Sequence, residues 1–361
     1  MSVNVTTCLL CGNAAELKHK EYPGYQEPDI FSIYHCRHCN TAFSLPRSDA
    51  STIYENIYKN EEKVPGYSRY RKYARSVVKV PDPLKYLADT SEVYWGVKEA
   101  LSISTDHSKP VRILEIGSGL GYLTFSLVKN NYNATGIDIS GNAVSKAIER
   151  FGDHYVCTNL SEYALDNSGS FDFVIATEVI EHFENISDFL DSVMMLLKPG
   201  GKAIITTPNK SLFSDDAIWA TEQPPVHYWW LSEESMKYIA ETFNAGISFI
   251  NFSNYYRKNY KIVGQKSQYS SRLPAPRFNK EGELIKSSWG FLNSAKANLQ
   301  ILFSGIPVLS SVGSFFKRCF KMVVGVFRKL FEKDIIVCGE RGIILCALIS
   351  KRQGKKLQDG I

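Results

Sequence analysis

The 361-residue sequence lacks any run of 18 or more apolar residues, so no segment of it has the length of a membrane-spanning helix. Its first residues, MSVNVTTCLLCGN, lack a basic n-region and an apolar h-region, and no secretory signal is expected. A strong charge of one sign is also missing. The formal net charge is +5, which advertises no basic body, so nucleic acid is not expected as a partner. No internal repeat and no low-complexity tract is present. What remains is an ordinary globular composition, 44% apolar and 22% charged. Eight cysteines without a secretory signal suit a reducing compartment, where paired thiols serve metal rather than disulfides. The expected location is the cytoplasm.

Composition divides the chain into a Cys- and His-rich module at 1–45, a Tyr-, Arg- and Lys-rich linker and helical cap at 46–84, and a ligand-binding domain at 85–252. An insertion at 253–335 and a final strand with its tail at 336–361 follow. The third region alternates strand and helix patterns. Strands are expected at Val111–Ile116, Ala134–Ile139, Tyr155–Thr158, Phe171–Thr177 and, after the turn Pro199-Gly200-Gly201, at Lys202–Thr206. Helices are expected at Gly121–Asn130, Gly141–Phe151 and Ile186–Leu197. Such alternation implies an α/β fold: a doubly wound, mostly parallel sheet with helices on both faces. The Glu233–Phe243 helix and the strands Ile247–Phe252 and Ile343–Ile349 would complete seven strands, the last of them beyond a large insertion.

The most informative stretch is Ile113-Leu114-Glu115-Ile116-Gly117-Ser118-Gly119-Leu120-Gly121. A strand running into three glycines and then a helix brings ligand atoms against bare backbone at a helix N-terminus. The dinucleotide fingerprint G-x-G-x-x-G would need glycine at 122, where this chain has Tyr122. Asp138 closes the second strand, 21 positions after Gly117, where a carboxylate can accept hydrogen bonds from ribose hydroxyls.

From Arg112 to Asn209 the sequence resembles the class I S-adenosylmethionine-dependent methyltransferases. The resemblance rests on E-I-G-S-G-L-G, G-I-D-I-S, F-D-F-V-I-A-T-E-V-I-E-H and L-L-K-P-G-G-K-A-I-I-T-T-P-N. It implies a Rossmann-like sheet and S-adenosylmethionine as cofactor. It further implies that Glu115, Gly117 and Gly119 line the methionine end, with Ser118, Gly121 and Thr177 among the contacts. Asp138 would hold the ribose, Ile139 would lie against adenine, and Asn159 and Leu160 would stand near the adenine edge. Many family members carry Asp where this chain has Asn159, whose carbonyl still offers an acceptor.

Methyl transfer needs alignment of nucleophile, methyl and sulfur, and a base where the nucleophile carries a proton. Candidates sit after the fourth strand, at the mouth of an open sheet: Glu178, Glu181 and His182. His227 stands in Pro225-Val226-His227-Tyr228-Trp229-Trp230, which resembles the H-x-x-x-aromatic-S stretch of small-molecule methyltransferases. Glu178 could equally bind the cofactor's amino group, and either histidine could simply shape the pocket, so no single base is singled out.

Cys8-Leu9-Leu10-Cys11 and Cys36-Arg37-His38-Cys39 form two C-x-x-C knuckles separated by 24 residues. Four thiolates so arranged suit a structural, tetrahedral zinc, with Glu16–Tyr34 as a long hairpin between them; a redox pair or chance spacing is the alternative. The module resembles the zinc-binding domains preceding some sugar C-methyltransferases and methyltransferases of polysaccharide clusters. Further on, Phe315–Lys333 holds six basic residues against one acid. Within the 301–333 tract, Phe316, Phe320, Val323, Phe327 and Leu330 recur at helical spacing, consistent with a packed helical cap or, as the alternative, peripheral contact with anionic membrane.

The expected function is therefore methyl transfer to a small molecule or glycan intermediate, a nucleotide- or lipid-linked sugar being favoured. The alternatives are an RNA methyltransferase with the zinc ribbon for RNA docking, or a non-catalytic methyltransferase-fold scaffold. Against RNA bases, Thr177-Glu178-Val179 stands where base-amino methylases place Asn/Asp-Pro-Pro-aromatic, and no cysteine sits near those strand ends for carbon-5 chemistry.

Overall fold

A computed structural model of the protein describes residues 4–60, 62–64, 67–105, 110–219, 222–263, 269–270, 273–285 and 340–351. The basic-apolar tract at 301–333 lies outside them. Among the described residues no helix is long and apolar enough to cross a membrane.

The chain opens with β1 (Val5–Thr7), β2 (Ala14–Pro23), β3 (Ile30–Cys36) and β4 (Thr41–Leu45), consecutive antiparallel strands in which β2 and β3 form the long hairpin expected between the cysteine knuckles. Four helices follow, α1 (Ser51–Lys59), α2 (Ser68–Ser76), α3 (Pro83–Thr90) and α4 (Glu92–Ser102). Asp82 caps α3 through the Lys85 amide, and Pro83 opens it where no amide hydrogen is needed.

The central domain then runs β5 (Arg112–Ile116), α5 (Tyr122–Lys129), β6 (Asn133–Asp138), α6 (Gly141–Phe151), β7 (Tyr155–Cys157), α7 (Leu160–Asp166), β8 (Phe171–Thr177), α8 (Ile186–Leu196) and β9 (Leu197–Pro208). β9 begins five residues before the expected strand, because Leu197 pairs with Phe171 and the Pro199–Gly201 turn becomes a register irregularity inside the strand. Gly201 is needed there: a side chain would meet the carbonyls of Lys198, Phe171 and Asp172 at 3.0–3.2 Å. After it come β10 (Ile218–Trp219), β11 (Trp229–Trp230), α9 (Glu233–Thr242), β12 (Gly246–Phe249), α10 (Ser253–Val263), β13 (Tyr269–Ser270), which pairs with β10, and β14 (Ile344–Ser350).

Seven strands form one sheet in the order β12-β14-β9-β8-β5-β6-β7. β5 to β9 are mutually parallel, and β14 lies antiparallel between β9 and β12. This is the Rossmann-like methyltransferase architecture expected from the sequence. Burial on both faces explains the near-continuous apolar strands. In β14, Leu345, Ala347 and Ile349 join the core that includes α8 and α9, whereas Ile344, Cys346 and Leu348 join the one that includes α3 to α6.

The amino-terminal sheet is not a free module. Its order is β1-β2-β3-β4-β11, so its last strand comes from the aromatic segment near residue 230. Trp229 pairs with Phe43 and Trp230 with Ala42.

Candidate active site and cysteine cluster

The carboxyl ends of β5, β6 and β8 converge on the glycine loop. Gly117 takes φ +70°, and a Cβ there would lie 2.7 Å from Cγ2 of Val179. Gly121, at φ +77°, packs so close to Ala147 and Tyr155 that a Cβ would lie 2.7 Å from both. Gly119 faces open space instead: the nearest atom to a Cβ built there is the Tyr58 hydroxyl, at 4.0 Å. The Asp138 carboxylate spans the loop, accepting from the Gly119 amide at 2.8 Å and the Ser140 amide at 2.8 Å. Beside it Ile139 is 69% exposed, an apolar surface next to the Asp138 carboxylate.

Two residues sit differently from the sequence expectation. Glu115 does not line the open side of the loop. It is buried beneath it, hydrogen-bonded by the Thr124 hydroxyl, and burial raises its carboxyl to about 8. The Asn159 carbonyl is not free for a ligand either. It caps α7, accepting from the Glu162 amide and the Ser161 hydroxyl, each at 2.9 Å, which leaves only its amide hydrogens to offer. Leu160 is buried behind it, and Thr177 is half-buried at the strand end.

Facing the loop is a polar cluster. Glu178 takes φ +56°, unusual for a side-chain-bearing residue; its amide donates to the Thr206 carbonyl, and the Thr206 hydroxyl donates back to its carboxylate at 3.1 Å. Burial lifts Glu178 to about 7 against the pull of Arg69. The fully buried Glu181 has no hydrogen-bond partner on either carboxylate oxygen; Thr207 stands beside it but outside hydrogen-bond geometry. Burial, then the neighbouring Glu178, pushes its carboxyl upward. His182 hydrogen-bonds through Nδ1 to the Val226 carbonyl, and its ring meets His227 edge-on with centroids 4.4 Å apart. Burial holds both imidazoles below their ordinary range, so both are neutral at neutral pH. Nδ1 of His227 is buried without a partner.

Sequence reasoning missed several members of this site. Arg69 on α2 keeps accessible surface; burial works against its charge, but Tyr70, Tyr94 and the Glu178 carboxylate outweigh it and hold the guanidinium charged. It donates to the Tyr70 hydroxyl at 2.9 Å. Glu222 is buried and lifted by its surroundings, and Glu92 is raised by burial to about 7 while bonded by the Tyr256 hydroxyl. Tyr54 of α1 sets its ring edge-on to His182. For Arg69 and Tyr54 the density of Tyr, Arg and Lys across residues 46–84 was the available signal; Glu92 and Glu222 carried none.

In the amino-terminal sheet, Cys8, Cys11, Cys36 and Cys39 bring their sulfurs within 4.8 Å of one another. The Cys8–Cys39 and Cys11–Cys36 separations are 3.7 and 3.5 Å. A tetrahedron with zinc–sulfur bonds of about 2.3 Å has edges of about 3.8 Å, so the four donors fit that ion. A polar seam joins this cluster to the central domain. Lys210, 2% exposed, donates to Asn40 at 3.0 Å, and Asn40 donates to Glu234 at 3.1 Å. Ser235, in the capping box of α9, donates to the Cys39 carbonyl at 3.0 Å and accepts from Thr41 at 2.7 Å.

With the geometry in place, the comparisons are consistent with it. Residues 84–247 match the family model described as a methyltransferase domain. The chain is 30% identical over 185 residues to the mitochondrial ubiquinone biosynthesis O-methyltransferase of Rattus norvegicus, covering 43% of this chain and 53% of that one. It is 32% identical over 104 residues to the ubiquinone biosynthesis O-methyltransferase of Rickettsia bellii (strain OSU 85-389), covering 28% and 43%. The chain thus spans about half the length of the curated relatives it matches. Among solved structures, a S-adenosylmethionine-dependent methyltransferase from Archaeoglobus fulgidus aligns with a TM-score of 0.41 at 15% identity, covering 82% of this chain and 99% of that one. Phosphoethanolamine N-methyltransferase 2 of Haemonchus contortus aligns with 0.41 at 16% identity, covering 71% and 52%.

Proposed function

We propose that the protein transfers a methyl group from S-adenosylmethionine to a small, polar, hydroxyl-bearing acceptor, a nucleotide- or lipid-linked sugar or related glycan intermediate. The observation that carries the polar acceptor is the cluster opposite the glycine loop. Carboxyls of Glu178, Glu181 and Glu222 and the imidazoles of His182 and His227 crowd one buried region, several of them with no protein partner. Buried polar groups left unpaired are costly unless a ligand completes them. A prenylated apolar ring would leave them unpaired, whereas a polyhydroxylated acceptor offers donors and acceptors to all five. The relatives named for O-methylation support oxygen as the methylated atom.

Gly117, Ser118, Gly119, Asp138, Ile139 and the amide of Asn159 would hold the cofactor, which supplies an electrophilic methyl group when bound. The chain's own part is positioning and proton removal. Because Nδ1 of His182 is committed to the Val226 carbonyl as donor, its Nε2 is the unprotonated nitrogen, suited to take a hydroxyl proton. His227, packed against it, sets the ring's orientation, and Arg69 balances the carboxylates around the acceptor. Stoichiometric zinc in the cysteine cluster would hold β4 against β11 and with it the segment carrying His227.

Calorimetry with S-adenosylhomocysteine tests the core of the reading. Binding by the wild type, weakened roughly tenfold or more in Asp138→Ala through loss of its hydrogen bonds, is the expected result. No binding by the wild type sinks it.

A further inference from the structure

Three stretches far apart in the sequence meet at one side chain that the site above does not use. Gln223 is fully buried in the loop before β11. Its amide nitrogen faces three backbone carbonyls, those of Gly24 at 3.1 Å, Ala275 at 3.3 Å and Pro23 at 3.4 Å. Three acceptors around one end of the amide fix that end as the nitrogen, since an oxygen there would meet only lone pairs. Pro23 ends β2 and Gly24 opens the hairpin tip of the cysteine module, whereas Ala275 lies in the insertion. Main-chain bonds complete the joint. The Tyr25 amide donates to the Pro224 carbonyl at 2.7 Å, and the Arg277 amide to the Tyr25 carbonyl at 2.7 Å. Without the Gln223 amide, the Gly24 and Ala275 carbonyls would lose a donor in a buried place, a cost relieved by letting the loop move away.

The loop that Gln223 holds ends at His182. The His227 amide donates back to the Gln223 carbonyl at 3.0 Å, closing a single turn over 223–227. Within that turn Val226 buries its side chain in an apolar cluster with Tyr25, Ile53, Ile57 and Phe278. Its carbonyl accepts from Nδ1 of His182 and, at 3.3 Å, from the Tyr54 hydroxyl. A carbonyl can only accept, so this contact puts the imidazole proton on Nδ1 and leaves Nε2 bare. We propose that Gln223 is a positioning residue: by tying the 223–227 turn to the hairpin tip and the insertion, it holds the Val226 carbonyl against His182 and so fixes the tautomer of that ring. The cysteine module thereby reaches the acceptor side of the site, more than 190 positions along the chain from its own tip. The weight of this tautomer for catalysis rests on the reading of His182 as the base; the joint itself does not.

The test reads the tautomer directly. Long-range proton–nitrogen magnetic resonance on the nitrogen-labelled full chain separates Nδ1–H from Nε2–H, and His182→Gln assigns the signal among the seven histidines. The wild type should show His182 as Nδ1–H alone. Gln223→Met keeps the length of the side chain and loses its donors, and it should bring in the Nε2–H form. Gly24→Ala should do the same from the module side, because a Cβ there would lie 2.7 Å from Cβ of Asp29 and 2.8 Å from the Phe31 ring. Asp82→Ala, which removes the cap of α3 outside this joint, should lower the unfolding midpoint and leave the tautomer as it was. S-adenosylhomocysteine affinity should be the same in Gln223→Met as in wild type. A wild type that binds no S-adenosylhomocysteine would sink the methyltransferase reading and leave the joint standing. The proposal is overturned by a wild type that carries Nε2–H, by Nδ1–H persisting alone in both Gln223→Met and Gly24→Ala, or by an equal change in Asp82→Ala.

Discussion

Two regions of this molecule bury polar side chains, and they treat them differently. At the seam between the cysteine module and the central domain, two short runs of hydrogen bonds cross the boundary: Lys210 to Asn40 to Glu234, and Thr41 to Ser235 to the Cys39 carbonyl. Opposite the glycine loop, Glu181 and His227 hold atoms with no partner, and Glu178 sits on a backbone conformation that side chains rarely adopt. Satisfied polar networks fix a geometry; unsatisfied ones store a cost that a ligand relieves. The seam is built to hold, and the cluster is built to receive.

The contrast can be broken most severely at the seam. Cys36→Ser should remove nearly all of an expected one zinc per chain and destabilise the fold by several kcal/mol, because metal-ligand free energy is folding free energy in such modules. Elemental analysis and urea unfolding measure the two effects, and a metal-free, well-folded wild type would contradict the zinc assignment. The cluster should answer in the opposite way. His182→Gln should lower the methyl-transfer rate about 100-fold, in the range expected for losing a general base, while leaving S-adenosylhomocysteine affinity and the unfolding midpoint close to wild type. A rate within a factor of two of wild type removes His182 from the chemistry. The smallest effect sharpens the comparison through pH. Burial raises Glu178 in the folded state to about 7 from an ordinary 4.5, so the folded protein binds the extra proton. The stability it contributes is present below about pH 4.5 and is lost as pH rises through about 7. Glu178→Gln should therefore gain stability relative to wild type at pH 8 compared with pH 5. Parallel pH curves for the two proteins would show that Glu178 is not held protonated.

What was legible in the sequence was what is local. The glycine loop, the strand at Phe171–Thr177 and each cysteine knuckle declare themselves within a dozen residues, and Asp138 by its fixed offset of 21 positions from Gly117, because turn geometry and ligand spacing act over such ranges. The pairing of Trp229 with Phe43 was invisible, since a two-residue strand has no period and its partner lies more than 180 positions away. Arg69 and Tyr54 were missed for the same reason. Their helices carry no motif, and only the fold brings them to the mouth of the sheet. Asn159 was read as a ligand for the cofactor because its place in the motif is visible, whereas its duty as a cap for α7 depends on where that helix begins.

The place of β14 sets the order of events during synthesis. It lies between β9 and β12, yet some 95 residues separate its first residue from the end of β12, and it leaves the ribosome after every other strand of the sheet. Until then β9 and β12 both present bare edges, and the inward faces of Leu345, Ala347 and Ile349 have nothing in their place. The nascent chain must keep a half-built sheet from pairing with its neighbours for the whole time needed to make the intervening segment. Truncation just before residue 340 would make that exposed state permanent.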